Sequence, residues 1–262
     1  MSRDARWTSL LDLLAANGRL EVEEAATALN VSAATIRRDL DQLAEQHMLV
    51  RTRGGAVTHG VSYELPLRYR TARNTEQKQR IAAAVAAMVG AGEVVGLTGG
   101  TTTTEVARAL ALRGDLTEAA GRQPALTVVT NALNIAGELV IRPQIKLVVT
   151  GGVARPQSYE LTGPLAAGVL REVTLDLAVL GIDGIDPGEG VYAHHEDEAS
   201  TNRLLAQRAR RVVVATDSSK IGRRAFARIC ATEAVHTLVT DAAAPPAALA
   251  RFADAGVEVV TV

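Results

Sequence analysis

The sequence predicts an α/β protein in two parts: an N-terminal winged helix-turn-helix domain over residues 1–60 and, after a linker over 61–80, a doubly wound, mostly parallel α/β domain over 81–262. Three patterns lead there. Three helix-period apolar stripes come first and end in a basic stretch around Gly54-Gly55. A proline, Pro66, then interrupts the chain. From Val94 onward, short Val- and Leu-rich runs alternate with helix-like segments, the pattern of parallel strands buried on both faces.

Composition sets the outer limits. Of 262 residues 47% are hydrophobic and 22% charged, ordinary values for a packed core, and aromatics at 3% make that core aliphatic. The single cysteine, Cys230, excludes an intrachain disulfide. Nothing at the N-terminus reads as a secretion signal, and no apolar run is long enough to span a bilayer. The expected address is the cytoplasm, with no membrane role. A net charge of −1 gives no global sign of a polyanionic partner, so a nucleic-acid surface has to come from local clustering. Arginine supplies nearly all the positive charge; lysine occurs only at Lys78, Lys146 and Lys220.

Trp7, Leu10, Leu11 and Leu14 fall at i, i+3, i+4, i+7, one stripe of a first helix that Asn17-Gly18 stops. Val22, Ala25, Ala26 and Leu29 repeat the spacing, with Glu21, Glu23 and Glu24 where the helix dipole favours negative charge. After the turn Asn30-Val31-Ser32, Ser32 caps a third helix whose buried stripe is Ile36, Leu40 and Leu43. Ala33, Ala34, Arg37, Arg38 and Asp41 are left outside, with Thr35 at the margin. Any helix can carry a solvated basic face. Here the face follows a tight helix-turn-helix, with small residues at its start and two arginines just inside. That arrangement suits the DNA major groove, because Arg reaches guanine O6 and N7 or phosphate oxygens. The stretch "LVRTRGGAVTH" alternates apolar and basic residues around Gly54-Gly55. It predicts a two-residue hairpin turn and a wing whose Arg51 and Arg53 project to one side, toward backbone phosphates.

Pro66 biases Leu65 away from helix and marks the joint, where Arg68, Arg70 and Arg73 read as solvated or ion-paired. Ile81, Val85, Met88 and Val89 then form one side of a helix. The runs "VVGLT", "LTVVTN", "IKLVVTGG", "LDLAVLGID", "RVVVATDSS", "HTLVTD" and "VEVVTV" are the candidate strands. Ligands of such sheets bind beyond the carboxyl ends of the strands. Those ends carry Thr98-Gly99-Gly100-Thr101, Asn131, Gly151-Gly152, Asp183-Gly184, Asp217-Ser218-Ser219-Lys220 and Asp241. Turn-making and capping cover Gly151, Gly152 and Asp241. They do not cover Lys220. A helix N-terminus after two glycines, threonine hydroxyls and an ammonium together make an anion site, with charge-assisted hydrogen bonds worth roughly 1.5–3 kcal/mol each. Phosphate is the expected guest. The loop lacks the Lys-Ser/Thr pair of the nucleotide P-loop and the dinucleotide glycine spacing, so no nucleotide cofactor is expected. Asn131, Asp183 and Glu198 suit the hydroxyls of a small polyol or sugar. His194 and Glu198 are spaced i, i+4, too few ligands for a metal site.

The stretch "VSAATIRRDLDQLAEQHMLVRTRGGAV" resembles the DNA-binding signature of the DeoR family of bacterial transcriptional regulators. It departs at His47, where the family usually has Gly, and at Arg53, where it often has His. "GGTTTTEVA", "TNALNIA", "VVTGGVARPQSYELTGPLA", "LAVLGIDGID", "EDEA" and "ATDSSKIG" follow the order of that family's effector domain, which is related to ribose-5-phosphate isomerase. The resemblance covers essentially the whole chain. It implies a repressor of a carbohydrate-metabolism operon that binds double-stranded operator DNA and is modulated by a phosphorylated sugar. The residue pattern and the resemblance together give a DNA-binding set of Ser32, Ala33, Ala34, Thr35, Arg37, Arg38, Arg51, Arg53, Gly54 and Gly55. The effector set is Thr98, Gly99, Gly100, Thr101, Thr102, Thr103, Asn131, Gly152, Asp183, Gly184, Glu198 and Lys220, with Thr98 where the family frequently has Asp.

The rival expectation is a sugar-phosphate isomerase or transferase with an appended helical domain. An isomerase needs a positioned base and a stabiliser for the enediolate. Asp183-Gly184-Ile185-Asp186 matches one segment of the related enzymes, but their Lys-Gly-Gly-Gly-Gly segment is absent, so no enzyme is expected. One winged helix has a small interface, so a homo-oligomer, dimer or tetramer, on repeated half-sites is expected.

Overall fold

The structure is a computed structural model that describes residues 1–45, 48–57, 67, 74–119, 121 and 124–262. The chain divides into two compact units, Met1–Ala72 and Arg73–Val262. His47, Pro66, Arg68, Arg70 and Arg73 lie outside the described residues.

The first unit holds α1 (Arg3–Asn17), α2 (Val22–Leu29) and α3 (Ala33–Glu45). The expected stripes form its core, with Trp7, Leu10, Leu11, Leu14, Val22, Ala25, Ile36, Leu40 and Leu43 buried together. The sequence pattern did not reveal the part played by Asp39, which is buried on α3. Its carboxylate accepts from Arg6 Nε, from Arg6 Nη2 at 3.0 Å and from Trp7 Nε1 at 2.9 Å, all on α1. That clamp fixes α3 against α1.

The wing is a three-stranded antiparallel sheet of β1 (Arg19–Glu21), β2 (Val50–Arg51) and β3 (Gly55–Val57), with β3 in the middle. Two expectations need correction. β1 is short and polar and gave no strand signal. Gly55 is not a turn residue; it opens β3 opposite Glu21, where a Cβ would lie 1.8 Å from the Leu20 carbonyl oxygen. The turn falls to Thr52, Arg53 and Gly54.

In the second unit α4 (Thr75–Ala87) packs on the sheet, so the part of the expected linker from Thr75 to Arg80 belongs to this unit. There follow β4 (Val94–Leu97), α5 (Thr101–Ala111), α6 (Gly114–Ala119), β5 (Leu126–Thr130), α7 (Leu133–Leu139) and β6 (Ile145–Val149). A hairpin of β7 (Val153–Ala154) and β8 (Leu161–Thr162) leads to α8 (Pro164–Arg171), β9 (Leu175–Leu180), β10 (Gly184–Asp186) and β11 (Gly190–Ala193). The chain ends with α9 (Glu196–Gln207), β12 (Ala209–Ala215), β13 (Ala227–Cys230), β14 (Thr237–Thr240), α10 (Pro246–Asp254) and β15 (Glu258–Thr261).

The seven aliphatic runs form one parallel sheet in the order β15-β14-β12-β9-β4-β5-β6. One face is covered by α4, α5 and α7 through Ile81, Val85, Val106, Leu110 and Ile135. The other is covered by α8, α9 and α10 through Leu170, Leu205 and Phe252. From β4 the chain winds one way to β6, then restarts at β9 on the other side of β4. The strand order therefore reverses between β4 and β9, where open α/β sheets leave a crevice. Two small antiparallel additions, β7-β8 and β10-β11-β13, follow the carboxyl ends of the main strands; the sequence reading did not foresee them. No helix among the described residues is long and apolar enough to cross a membrane.

Replacing Asp39 by Ala leaves the largely buried Arg6 guanidinium without its partner, a change that costs about 3–5 kcal/mol for a buried pair. Trp7, the only tryptophan, is a built-in reporter. Urea unfolding followed by its fluorescence should show that loss, whereas a shift under about 1 kcal/mol would mean the clamp does not hold α3.

Candidate functional site

On α3, Arg37 and Arg38 are exposed while Ile36 and Leu40 are fully buried. Ser32 Oγ accepts from the Thr35 amide at 3.2 Å and bonds the Thr35 hydroxyl at 2.9 Å, which starts the helix and leaves Ala34 exposed, Ala33 and Thr35 half-exposed. Arg37 reaches Glu23 at 3.0 Å in an exposed pair, worth under about 1 kcal/mol and easily exchanged for a phosphate. Arg38 and Arg53 make no hydrogen bond or ion pair among the described residues. Arg51 differs from its expected place beside Arg53. It is half-buried, 2.7 Å from Asp41 of α3, and also donates to the Gly55 carbonyl, so it braces the wing against the helix. Gly54 is exposed and its carbonyl accepts from the Val22 amide at 2.9 Å.

At the switch point the tips of β4 and β9 are tied by Thr98. Its hydroxyl accepts from the Gly181 amide at 2.8 Å and donates to the Gly99 carbonyl at 3.3 Å, and the residue is wholly buried. Thr98, a member of the expected effector set, is thus bound into the wall of the switch point. Gly99 lies beneath Glu160, whose carboxylate would be 2.4 Å from a Cβ. Gly100, at φ 136°, turns the chain into α5. No side chain caps this helix. The hydroxyls of Thr103 and Thr104 turn back to the Gly100 carbonyl at 3.1 and 2.6 Å, and the first amide bonded within the helix is that of Thr104. Among the described residues the N–H groups of Thr101, Thr102 and Thr103 have no acceptor, at the end of the helix where the dipole favours an anion. Gly100 and Thr101 are half-exposed; Thr102 and Thr103 are buried.

Lys220 sits on a single 3-10 turn, Ser218–Lys220, after β12. Its Nζ donates to the Ile182 carbonyl and lies 3.7 Å from Asp183 Oδ1, while Asp183 Oδ2 accepts from the His194 amide at 2.9 Å. Asp217 accepts from the Ser219 amide at 3.0 Å and from its hydroxyl. Burial pushes the Asp217 carboxyl up, but the Ser219 hydroxyl and the charges of Lys220 and Lys78 outweigh it, so it titrates below its usual range. Lys78 is the unexpected member. It lies on α4, is only 4% exposed, and is close enough for Asp217 to feel its charge. The scarcity of lysine was its one sequence signal.

A buried polar network adjoins the loop. Asn131, wholly buried at the end of β5, donates through Nδ2 to Glu160 Oε2 at 3.1 Å and Asn202 Oδ1 at 3.3 Å. Both partners are acceptors, so the amide orientation is fixed and its Oδ1 is left buried without a donor among the described residues. An orphan acceptor of this kind costs about 1–3 kcal/mol until a donor arrives. Glu198, on the inner side of α9, accepts from Arg155 Nη1 at 3.0 Å and from the Ser158 hydroxyl. Arg155, Ser158, Glu160 and Asn202 carried no periodic signal and were not singled out in the sequence. Gly152 and Gly184, both in the expected effector set, are each required by close backbone approach, with a Cβ 2.7 Å from the Thr162 carbonyl oxygen and 2.5 Å from that of Arg223. No cluster able to hold a metal is found among the described residues.

Comparison with known proteins adds what geometry alone does not give. The DeoR-like helix-turn-helix domain matches residues 6–59, and the DeoR C terminal sensor domain matches 73–242. The chain belongs to the DeoR family. It is 34% identical over 260 residues to the putative aga operon transcriptional repressor of Escherichia coli O157:H7, covering 98% of this chain and 93% of that protein. It is 31% identical over 254 residues to the glycerol-3-phosphate regulon repressor of Escherichia coli strain K12, covering 97% of each. This DeoR-family member is a DNA-binding transcriptional repressor and not an enzyme. Ribose 5-phosphate isomerase A of Methanocaldococcus jannaschii is similar over 56% of this chain and 54% of its own, at 20% identity and a TM-score of 0.42, too distant to bear on the site.

Lys220→Met removes a cation that keeps Asp217 ionised. A depressed carboxyl contributes stability that is present above the unfolded value, about 3.9, and is lost as pH falls through the folded value. The variant should therefore be less stable than the wild type at pH 7, and the difference should narrow in acid as pH falls through the lowered folded value, in urea unfolding. An equal loss at pH 7 and in acid would separate Lys220 from Asp217.

Proposed function

We propose that this DeoR-family repressor controls a carbohydrate-metabolism operon, occupies its operator as a homo-oligomer through α3 and the wing, and is released by a phosphorylated sugar held at the switch point. The observation that carries the effector half is the uncapped start of α5, with three unclaimed amides beside a sheet edge that also gathers Lys220 and Lys78. A phosphate there takes backbone donors and two cations. The sugar hydroxyls then meet Asp183 and the orphan Oδ1 of Asn131. The names of two relatives, one for the aga operon and one for the glycerol-3-phosphate regulon, support a phosphorylated carbohydrate as the signal.

Release requires the ligand to favour one arrangement of the DNA-binding units over another. Lys78 offers the connection, because it stands in the first turns of α4, the first helix after the joint at Ala72-Arg73. A ligand that redraws the balance among Lys78, Asp217 and Lys220 acts on that helix directly. A coupling of about 1–3 kcal/mol changes operator affinity roughly 5- to 150-fold.

Two variants separate the halves. Arg38→Ala should weaken binding to a duplex that the wild-type protein selects from random DNA, by about tenfold or more, with sugar-phosphate affinity unchanged. Lys220→Met should bind the same duplex normally and fail to release it on addition of the sugar phosphate that releases the wild type. Fluorescence anisotropy reads both, and normal release by Lys220→Met contradicts the effector placement.

A further inference from the structure

Helices α8 and α9 precede the neighbouring parallel strands β9 and β12, so they run side by side from the carboxyl edge of the sheet toward its amino edge. Between them lies a groove of about 460 Å³. Its lining includes the small residues Gly163, which precedes α8, Ala167 on α8 and Thr201 on α9. Its charges are sorted by end. Asp197, with Glu196 beside it, marks the start of α9; Arg203 on α9 and Arg171 on α8 mark the other end; Ser200 is exposed midway. Glu196, Asp197 and Arg171 form no ion pair among the described residues. Arg203 donates to the carbonyls of Ile229 and Arg228, which holds its guanidinium in place and leaves its charge uncompensated.

A surface that is acidic at one end and basic at the other matches a copy of itself turned by half a rotation. We propose that the groove between α8 and α9 is a two-fold interface between two copies of this chain, in which α9 crosses the α9 of its mate antiparallel about Ser200. In that crossing Glu196 and Asp197 meet the partner's Arg203 and the partner's Arg171, and the same pairing repeats on the far side of the axis, as an isologous contact requires. A parallel crossing sets acid against acid and base against base. A polyanionic occupant such as nucleic acid is opposed by the acidic end. The small residues permit the 8–10 Å approach of packed helices, and antiparallel dipoles favour the same arrangement. Glu198 lies on the inner side of the same helix, so the interface and the effector network share α9. The inference goes beyond the regulator reading, since it assigns the surface that pairs two copies.

The test uses the full chain without DNA or ligand. Ser200→Cys places two thiols at the axis, within disulfide reach. The native background is low, because Cys230 is the only cysteine and burial pushes its thiol up to about 11. Mild oxidation should convert most of Ser200→Cys to a linked dimer and little of Thr117→Cys, an exposed control on α6. Equal yields overturn the proposal. Independently, Asp197→Arg should raise the self-dissociation constant at least tenfold in sedimentation, and adding Arg171→Asp should recover most of that loss by restoring opposite charges. A monomeric wild type, or an Asp197→Arg protein of unchanged mass behaviour, also overturns it. Operator binding and sugar release enter neither readout, so a failed crosslink or charge test in an oligomeric protein leaves the regulator reading intact, whereas a monomeric wild type also counts against the homo-oligomer of that reading.

Discussion

A helix that begins without a cap leaves backbone donors that the fold must satisfy elsewhere, and α5 begins that way at the one place where the sheet changes direction. Its threonines are well able to cap, and a lost cap costs about 1 kcal/mol. Instead Thr103 and Thr104 spend their hydroxyls on the Gly100 carbonyl behind them. Gly99 and Gly100 let the chain pass under Glu160 and turn sharply, and Thr98 pins the tips of β4 and β9 through Gly181. These bonds fix the start of the helix in place, and the phosphate site proposed for it rests on that arrangement.

Around that start the protein concentrates the polar groups that its aliphatic sheet excludes. Lys78 and Lys220 lie far apart in the second unit's sequence and both act on Asp217. Asn131, Glu160 and Asn202 form a hydrogen-bonded chain that leaves a buried acceptor without a donor. Glu198, which the sequence offers to a sugar hydroxyl, is held instead by Arg155 and Ser158.

What the sequence showed and what it hid follow from range. All seven sheet strands were legible because each is a short aliphatic run, a property of the run itself; the inner strands are buried on both faces, and the edge strands β6 and β15 are partly exposed. The helices α1 to α3 were legible from the spacing of Leu10, Leu14, Ile36 and Leu40. The start of α5 was legible because two glycines before four threonines are unusual locally. Residues whose role depends on a distant partner were not. Asp39 looks like a surface acid until Arg6 and Trp7 close over it, 33 and 32 residues away. Lys78 fell in an expected linker, and Arg51 read as a free wing cation until Asp41 claimed it. Gly55 read as a turn because the strand it must approach, β1, is too short to announce itself.

In the proposed complex the amides opening α5 donate to the phosphate of a small metabolite. The most direct measurement is the amide proton and nitrogen shifts of Thr101, Thr102 and Thr103 while the full-length protein is titrated with a panel of sugar phosphates and with the same sugars lacking phosphate. The account predicts that at least one phosphorylated member moves these three resonances saturably and that its unphosphorylated counterpart does not. Resonances that stay fixed with a sugar phosphate shown to release the operator, or that move equally with the bare sugar, would contradict it.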